Sequence, residues 1–475
     1  MSRRLPTEKI KKVLIIRPDA LGDMVLTLPC VAAIKKAYPQ WHVAVLASPY
    51  NARIMSHMDC FDEVILDKFR TGEAEGKAGF WRYVRWLKTQ NFDLAIHFYS
   101  ETPTVWLSVF AGIPYHIGDK AKLGLWPIFR KYGAFLKTFD QTKHVVEYNF
   151  QLLKALGITL DPEQKLSLTV PPGQTERAKD LLNQAGRRWD KPLVGIQIGV
   201  GFGNRPIEPE KFAEFVNALR RHRDVDVCVT PFTDKEKAFR DRFVAACQGP
   251  VLNLDDTKIT ELMGVISLYS VYVSVDTGPF HIGAALGVPM LAIFPSRKVK
   301  PTRWAPWRNR HLMVRESRTC PLFCPHEGCP LTICSDAIRV EDMVAKTEIL
   351  LDGGGVESAN DQFAYWFKAS MTVLVLDDAK TEAHAKAYAD HLNALGIVAH
   401  RTSVYTPELP AKLLEGDITI IHNFSGKRRL YLAWEARKIA LKLFNPPLLI
   451  HTAKNPLPEA ETIAYYKDAF EHKRF

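Results

Sequence analysis

The chain has 475 residues, room for two or three domains at about 150 residues each, and its 47% hydrophobic and 24% charged content is that of an ordinary soluble globular protein. Sixty-three Lys and Arg against 52 Asp and Glu leave a net charge of +11, which points to an anionic partner without choosing among nucleic acid, a nucleotide substrate and an acidic membrane surface. No apolar run approaches the roughly 18 residues of a transmembrane helix, and the basic start is followed only by Val13 to Ile16 before Arg17, so a first strand and a cytoplasmic protein are expected, not a signal peptide.

In chain order, short apolar strands alternate with helical patterns. Val13 to Ile16 leads into Leu26 to Lys36, Val43 to Leu46 into Ala52 to Met58, and Leu94 to Phe98 into Pro103 to Phe110. Such alternation predicts a parallel sheet wound with helices. A stretch richer in Pro and Gly, Asp161 to Gly173, precedes a polar helix. The alternation then resumes through Val194 to Ile198, Phe212 to Arg221, Val225 to Val229, Lys235 to Ala246, Val271 to Val275, His281 to Leu286 and Met290 to Phe294, a second doubly wound domain. A break from Asp352 to Ser370 precedes a smaller α/β unit with elements at Val373 to Leu376, Ala383 to Leu395, Val398 to His400, Ile418 to Ile421, Leu430 to Leu443 and Leu448 to Ile450. The expected division is 1–175, 176–352, a linker 353–370 and a third domain 371–475.

Two such domains in series put a ligand cleft between them at the carboxyl ends of their strands. Three segments aim chemistry at it. Ser274-Val275-Asp276-Thr277-Gly278-Pro279-Phe280-His281 is a strand, a tight turn and a small-residue helix; Gly278 is expected to free the backbone and Pro279 to take the first helical position, leaving helix amides for an anion. Gly199-Val200-Gly201-Phe202-Gly203-Asn204-Arg205 follows a strand, its three glycines allowing close approach to a phosphate and Arg205 adding forked donors. Arg17-Pro18-Asp19-Ala20-Leu21-Gly22-Asp23 follows the first strand, with Asp23 either a helix cap or a catalytic carboxylate. The glycine spacing is not G-x-G-x-x-G, which disfavours a dinucleotide oxidoreductase, and no G-x4-G-K-[ST] loop occurs.

Of eight cysteines, Cys30, Cys60, Cys228 and Cys247 stand in apolar or helical contexts. Cys320, Cys324, Cys329 and Cys334 cluster with C-x3-C-x4-C-x4-C spacing in a Pro-rich loop, where a structural zinc site, a redox role and free or disulfide-linked thiols remain open.

The order of these motifs, with Leu28-Pro29 and His144-Val145-Val146-Glu147, resembles the lipopolysaccharide heptosyltransferases of glycosyltransferase family nine over residues 12 to 350. The resemblance implies a GT-B fold and inverting transfer of heptose from ADP-heptose to a Kdo or heptose of the inner core. Asp23 then matches the family's catalytic aspartate and is the candidate general base. Gly199, Gly201, Gly203, Arg205, Asp276, Thr277, Gly278 and His281 fall to the donor site, with Arg205 where relatives often carry Lys; Glu236, or Asp234, falls near the ribose-contacting carboxylate. No metal is required, since Arg205, loop amides and the helix start near Gly278 and Phe280 can carry the charge of a departing ADP. Relatives often have a Cys-rich segment at the four-cysteine loop, with C-x2-C in place of Cys320 to Cys324.

The first domain is expected to bind the acceptor. Phe80 to Lys88 mixes aromatic and cationic residues on a helix, and Trp126 to Phe139 repeats that chemistry with Arg130, Lys131 and Lys137. Both suit an anionic glycolipid at the inner face of a membrane, and both equally suit a core helix with snorkelling cations. In the third unit Asp377-Asp378 follows a strand as in a phospho-receiver, but His422-Asn423 stand where the phosphoacceptor aspartate would be needed. Two competing functions are a glycosyltransferase using another nucleotide sugar and a non-catalytic nucleotide-sugar scaffold in envelope assembly; dispersed basic residues and the lack of a recognition motif argue against nucleic acid.

Overall fold

The computed structural model describes residues 5–120, 123–134, 136, 143–161, 163–199, 207–230, 234–255, 257–295, 299–315, 336–357, 362, 365–366, 372–377, 382–395, 398–403, 420–423 and 448–451. The first sheet begins with the apolar run at Val13. Chain order there is β1 (Lys12–Ile16), α1 (Leu21–Val25), α2 (Leu28–Ala37), β2 (His42–Ala47), α3 (Pro49–Met55), β3 (Glu63–Leu66), α4 (Gly76–Thr89), β4 (Leu94–His97), α5 (Thr102–Phe110) and β5 (Tyr115–Ile117). All strands pair in parallel in the order β3-β2-β1-β4-β5, with Val13 beside Val43 and Leu94. Because β1 has a strand on each side and helices on both faces, four of its five residues are fully buried, which is why it reads as a continuous apolar run. Tyr83, Val84 and Leu87 of α4 and Leu107 of α5 cover one face; Met24, Val25, Val31 and Ile34 cover the other.

After α6 (Trp126–Phe129), α7 (Val145–Leu152) and α8 (Gln174–Gln184) comes the second sheet. It is built from β6 (Leu193–Gln197), α9 (Pro209–His222), β7 (Asp226–Val229), α10 (Asp234–Ala246), β8 (Leu252–Asn253), α11 (Ile259–Ile266), β9 (Val271–Val275), α12 (Gly278–Ala285), β10 (Met290–Ile293), α13 (Pro301–Trp304), β11 (His311–Val314) and α14 (Val340–Leu351). Its order, β11-β10-β9-β6-β7-β8, is the doubly wound order in which the chain steps outward from β6 and then reverses to β9. The third unit holds β12 (Thr372–Asp377), α15 (Glu382–Ala394), β13 (Val398–Ser403), β14 (Ile420–Asn423) and β15 (Leu448–His451), parallel in the order β13-β12-β14-β15. Its first strand has the second on one side and the third on the other, so its described strands wind unlike those of the first two sheets. The helix expected over Leu430 to Leu443 lies outside the described residues.

One apolar cluster runs without a break from Val13, Ile15 and Val45 of the first sheet to Met263, Tyr272 and Phe280 of the second. His144 fastens the two halves. Its Nδ1 accepts the Val146 N–H at 3.2 Å at the start of α7, and its Nε2–H donates to the Ala305 carbonyl at 3.0 Å just after α13. The ring lies 4.8 Å from that of Trp307 and 5.5 Å from that of Trp366. Trp366 in turn donates to His311 at 2.8 Å, so a segment beyond α14 returns to cover the junction. Burial pushes His144 down to about 3, which keeps it neutral and fixes this donor and acceptor assignment.

Candidate active site

Both halves of the site begin where a buried strand ends. In the first, β1 delivers Arg17, only 6% exposed, into a polar knot. Its Nη1 donates to the Phe98 carbonyl at 2.5 Å, its Nε faces the Asp19 carboxylate at 2.9 Å, and its Nη2 pairs with Asp23 Oδ1. Asp23 is the third residue of α1, and the cap position belongs to Ala20, which makes no side-chain cap. The capping alternative for Asp23 is therefore excluded. The short helix α1 was itself not expected, because the sequence pattern suggested a helix only from Leu26. Asp23 keeps about a fifth of its side chain accessible while the guanidinium that pairs with it is buried, so the carboxylate is open to solvent with its orientation fixed from below. Burial pushes the neighbouring Asp19 carboxyl up to about 7, against the opposing pull of Arg17 and with the charge of Asp23 adding to the rise.

In the second half, β9 leads into Asp276 and Thr277. Thr277 is the cap of α12, in extended conformation, and its hydroxyl accepts the Phe280 N–H at 3.4 Å. Gly278 is thus the first helical residue and Pro279 the second, one place later than expected. Gly278 does not take a positive φ either. Its lack of a side chain serves packing instead: a Cβ there would sit 3.2 Å from the Cβ of Leu21 on α1. Gly22 answers from the other side, where a Cβ would fall 2.5 Å from Cδ2 of His281. Two glycines thereby let α1 and α12 touch, and the touch brings the Asp23 helix against the Asp276 turn. His281 is 2% exposed; its Nε2 pairs with Asp276 Oδ1 at 3.0 Å, and its Nδ1 is buried without a hydrogen-bond partner among the described residues.

The third predicted segment is only partly described. Gly199 follows β6, and a Cβ there would collide with Glu236 Oε1 and Gln197 Nε2. Gln197 donates to Glu236 at 3.1 Å, which brings the ribose candidate of α10 to the carboxyl end of β6, beside the glycine loop. Gly201, Gly203 and Arg205 lie outside the described residues, as do the side chain of Asp234 and all of Cys320, Cys324, Cys329 and Cys334. Among the described residues no group of three or more His, Cys, Asp or Glu could hold a metal ion, and no helix is long and apolar enough to cross a membrane.

Sequence reasoning quoted Arg17, Asp19 and Gly22 without giving them a task. The available signal was a charged residue directly after a fully apolar strand, flanked by carboxylates two and six positions on, an arrangement that needs a local ion pair if the strand end is buried. Of the two aromatic and basic stretches, Phe80 to Lys88 turns Tyr83, Val84 and Leu87 inward and Trp81, Arg82, Arg85 and Lys88 outward, with Phe80 and Trp86 half-buried between them. In the second, Phe129 is fully buried, which is the core alternative; Lys137 and Phe139 lie outside the described residues.

Two doubly wound parallel sheets packed together, one offering a buttressed carboxylate and the other a capped strand-to-helix turn, have the architecture of the GT-B fold. Comparison with known proteins agrees. The model of glycosyltransferase family 9 (heptosyltransferase) matches residues 80–332, and the chain belongs to this family. Lipopolysaccharide heptosyltransferase 3 of Escherichia coli is 26% identical over 297 residues, covering 61% of this chain and 84% of that protein. Among solved structures, a family 9 glycosyl transferase from Veillonella parvula DSM 2008 aligns with TM-score 0.62 at 18% identity, covering 72% of this chain and 98% of that one. The E. coli ADP-heptose lipopolysaccharide heptosyltransferase II aligns with TM-score 0.57 at 19% identity, covering 72% and 99%. The family match ends before the third sheet and begins after Asp23.

Proposed function

We propose that this glycosyltransferase moves a heptose from ADP-heptose to a sugar hydroxyl of a lipopolysaccharide inner core, inverting the anomeric centre, with Asp23 as general base. The observation that carries the proposal is the direct packing of α1 on α12, which sets a buttressed, accessible carboxylate beside the Asp276-Thr277-Gly278 turn. The names of the E. coli relatives support the donor and acceptor class. Residues 1–175 would bind the acceptor, 176–352 the nucleotide sugar, and 371–475 would form a separate unit after the linker 353–370.

In the transfer, Asp23 takes the proton of the acceptor hydroxyl as that oxygen attacks the anomeric carbon. The bond from that carbon to the phosphate oxygen breaks on the opposite face, and ADP leaves with the electron pair. Arg17 holds the Asp23 carboxylate in place and aims it. The amides at the start of α12, the glycine loop from Gly199 through Gly201 and Gly203, and Arg205 would neutralise the departing diphosphate without a metal. Asp276 with His281 would hold the donor, and Glu236 the ribose. A zinc ion on the four cysteines would be structural, checked by the zinc content of the purified protein. The work would be done on the cytoplasmic side of the inner membrane, where donor and glycolipid meet.

The test incubates the protein with a panel of nucleotide sugars and deep-rough lipopolysaccharide and reads product mass. A heptose mass gain from ADP-heptose that vanishes in Asp23→Ala supports the proposal. Transfer from another nucleotide sugar would replace the donor assignment, and no transfer with any donor would favour a binding scaffold.

A further inference from the structure

The outer faces of α4 and α5 carry an exposed aromatic cluster. Trp81 is 45% exposed, Trp106 37% and Phe110 46%, three of the eight large hydrophobic residues exposed among those described. They are contiguous: the ring of Phe110 lies 5.1 Å from that of Trp81 and 5.5 Å from that of Trp106, with Phe80 packed edge-on to both Trp81 and Phe110. The core does not need them, since Tyr83, Val84, Leu87 and Leu107 already seal these helices onto the sheet. Scattered single apolar residues on a surface are ordinary; a touching set of indoles and a phenyl ring is not.

Charge says what the cluster faces. Lys77, Trp81, Arg85 and Lys88 are spaced four, four and three residues apart, which lines them along one stripe of α4. Lys77, Arg85 and Lys88 are exposed and, among the described residues, have no carboxylate partner. The nearby carboxylates of Glu73 and Glu101 are engaged elsewhere, by Lys68 and Arg70. The other basic concentration behaves differently. A hollow of about 370 Å³ lined by Arg188, Arg220, Arg221 and Arg223 commits Arg188 to Asp226, Arg220 to backbone carbonyls and Arg223 to Asp352, leaves only Arg221 of these four without a partner among the described residues, and has no Phe, Tyr or Trp in its lining. Among the described residues only the α4–α5 face joins free cations to exposed indoles, the combination that favours an anionic bilayer surface: rings enter the headgroup boundary while ammonium and guanidinium groups meet phosphate.

We propose that this face, Trp81, Trp106 and Phe110 with Lys77, Arg85 and Lys88, docks the enzyme on an anionic lipid bilayer. The inference goes beyond the transfer reaction and is tested apart from it. The full chain is sedimented with vesicles of phosphatidylcholine alone or mixed equally with phosphatidylglycerol, over a series of salt concentrations. Binding to the mixed vesicles that weakens with salt is expected. Replacing Lys77, Arg85 and Lys88 by Gln should weaken it at least about tenfold and flatten the salt dependence, at roughly fivefold per cation. Replacing Trp81, Trp106 and Phe110 by Ser should also weaken it about tenfold or more, with an unchanged circular dichroism spectrum because these side chains are not part of the core. Vesicle binding is read without nucleotide sugar or acceptor, so that its loss is scored apart from transfer. The proposal is overturned if the wild-type protein does not distinguish the two vesicles, or if both variants bind as it does. It is also overturned if the aromatic variant abolishes self-association of a protein that never binds lipid, which would make the face a contact between copies of the chain.

Discussion

The Arg17–Asp23 segment and the Asp276–His281 segment solve one problem in two ways. Each follows a buried central strand, each presents a partly accessible carboxylate, and each backs it with a nitrogen-bearing side chain. In the first the backing group is a buried guanidinium, a permanent charge shared between Asp19 and Asp23. In the second it is an imidazole locked to Asp276 in a fold position that admits almost no solvent. The difference suits different tasks. A general base, the task proposed for Asp23, must be aimed, which a fixed guanidinium achieves; a donor-holding carboxylate, the task proposed for Asp276, needs orientation, which a hydrogen-bonding ring supplies.

The sharpest way to break the pairing is to remove the reactive oxygen on one side only. Asp23→Asn should lower kcat by about 10² to 10⁴ while leaving ADP affinity nearly unchanged in calorimetry. A comparable loss in Asp276→Asn with Asp23→Asn silent would reverse the assignments. Next comes the contact between the segments. Gly22→Ala would drive a methyl group into the buried His281 ring, and a displacement of that order between reacting groups costs about 10² in kcat/KM, read in steady-state kinetics with a melting curve to separate it from unfolding. Asp276→Asn should act mainly on donor binding, raising the donor KM about tenfold for one lost charge-assisted hydrogen bond.

The smallest effects are in stability and carry opposite signs. His144, ordinarily near 6.5, is held at about 3 in the folded chain, so its contribution is present above 6.5 and is lost as pH falls toward 3. His144→Gln keeps a donor for Ala305 without the titration, and should flatten that part of the acid loss at a cost of about 1 kcal/mol at neutral pH, read from melting temperatures across pH. His311, pushed down to about 4 by burial, leaves part of the slope in place. Asp19 works the other way. Its raised folded value means that the native state keeps a proton the unfolded chain has lost, so its contribution falls as pH rises from 3.8 to about 7, and Asp19→Asn should remove that decline.

How much of this was legible follows from burial. The central strands β1, β4, β6, β9 and β10 were found within a residue or two because helices on both faces make them uninterrupted apolar runs. The edge strands β3, β5, β8 and β11 were not. β8 has two residues, β5 three, and β3 begins with Glu63 and is half exposed, so a short or one-sided strand leaves little pattern to read. Among the candidate site residues, Asp23, Gly199, Asp276 and His281 were visible because each stands at or soon after the end of an apolar strand with a residue type that a plain core would not call for.

The sequence by itself determined the doubly wound plan, the family motifs and the residue types at the two strand ends, since these depend on local periodicity and on neighbours along the chain. Only the tertiary structure decided that Asp23 is no cap, that Gly22 and Gly278 are spacers between helices, that His144 bridges two domains and that Trp81, Trp106 and Phe110 share one outer face. Each of those depends on contacts between segments distant in sequence, and no window along a chain contains its partner across the fold.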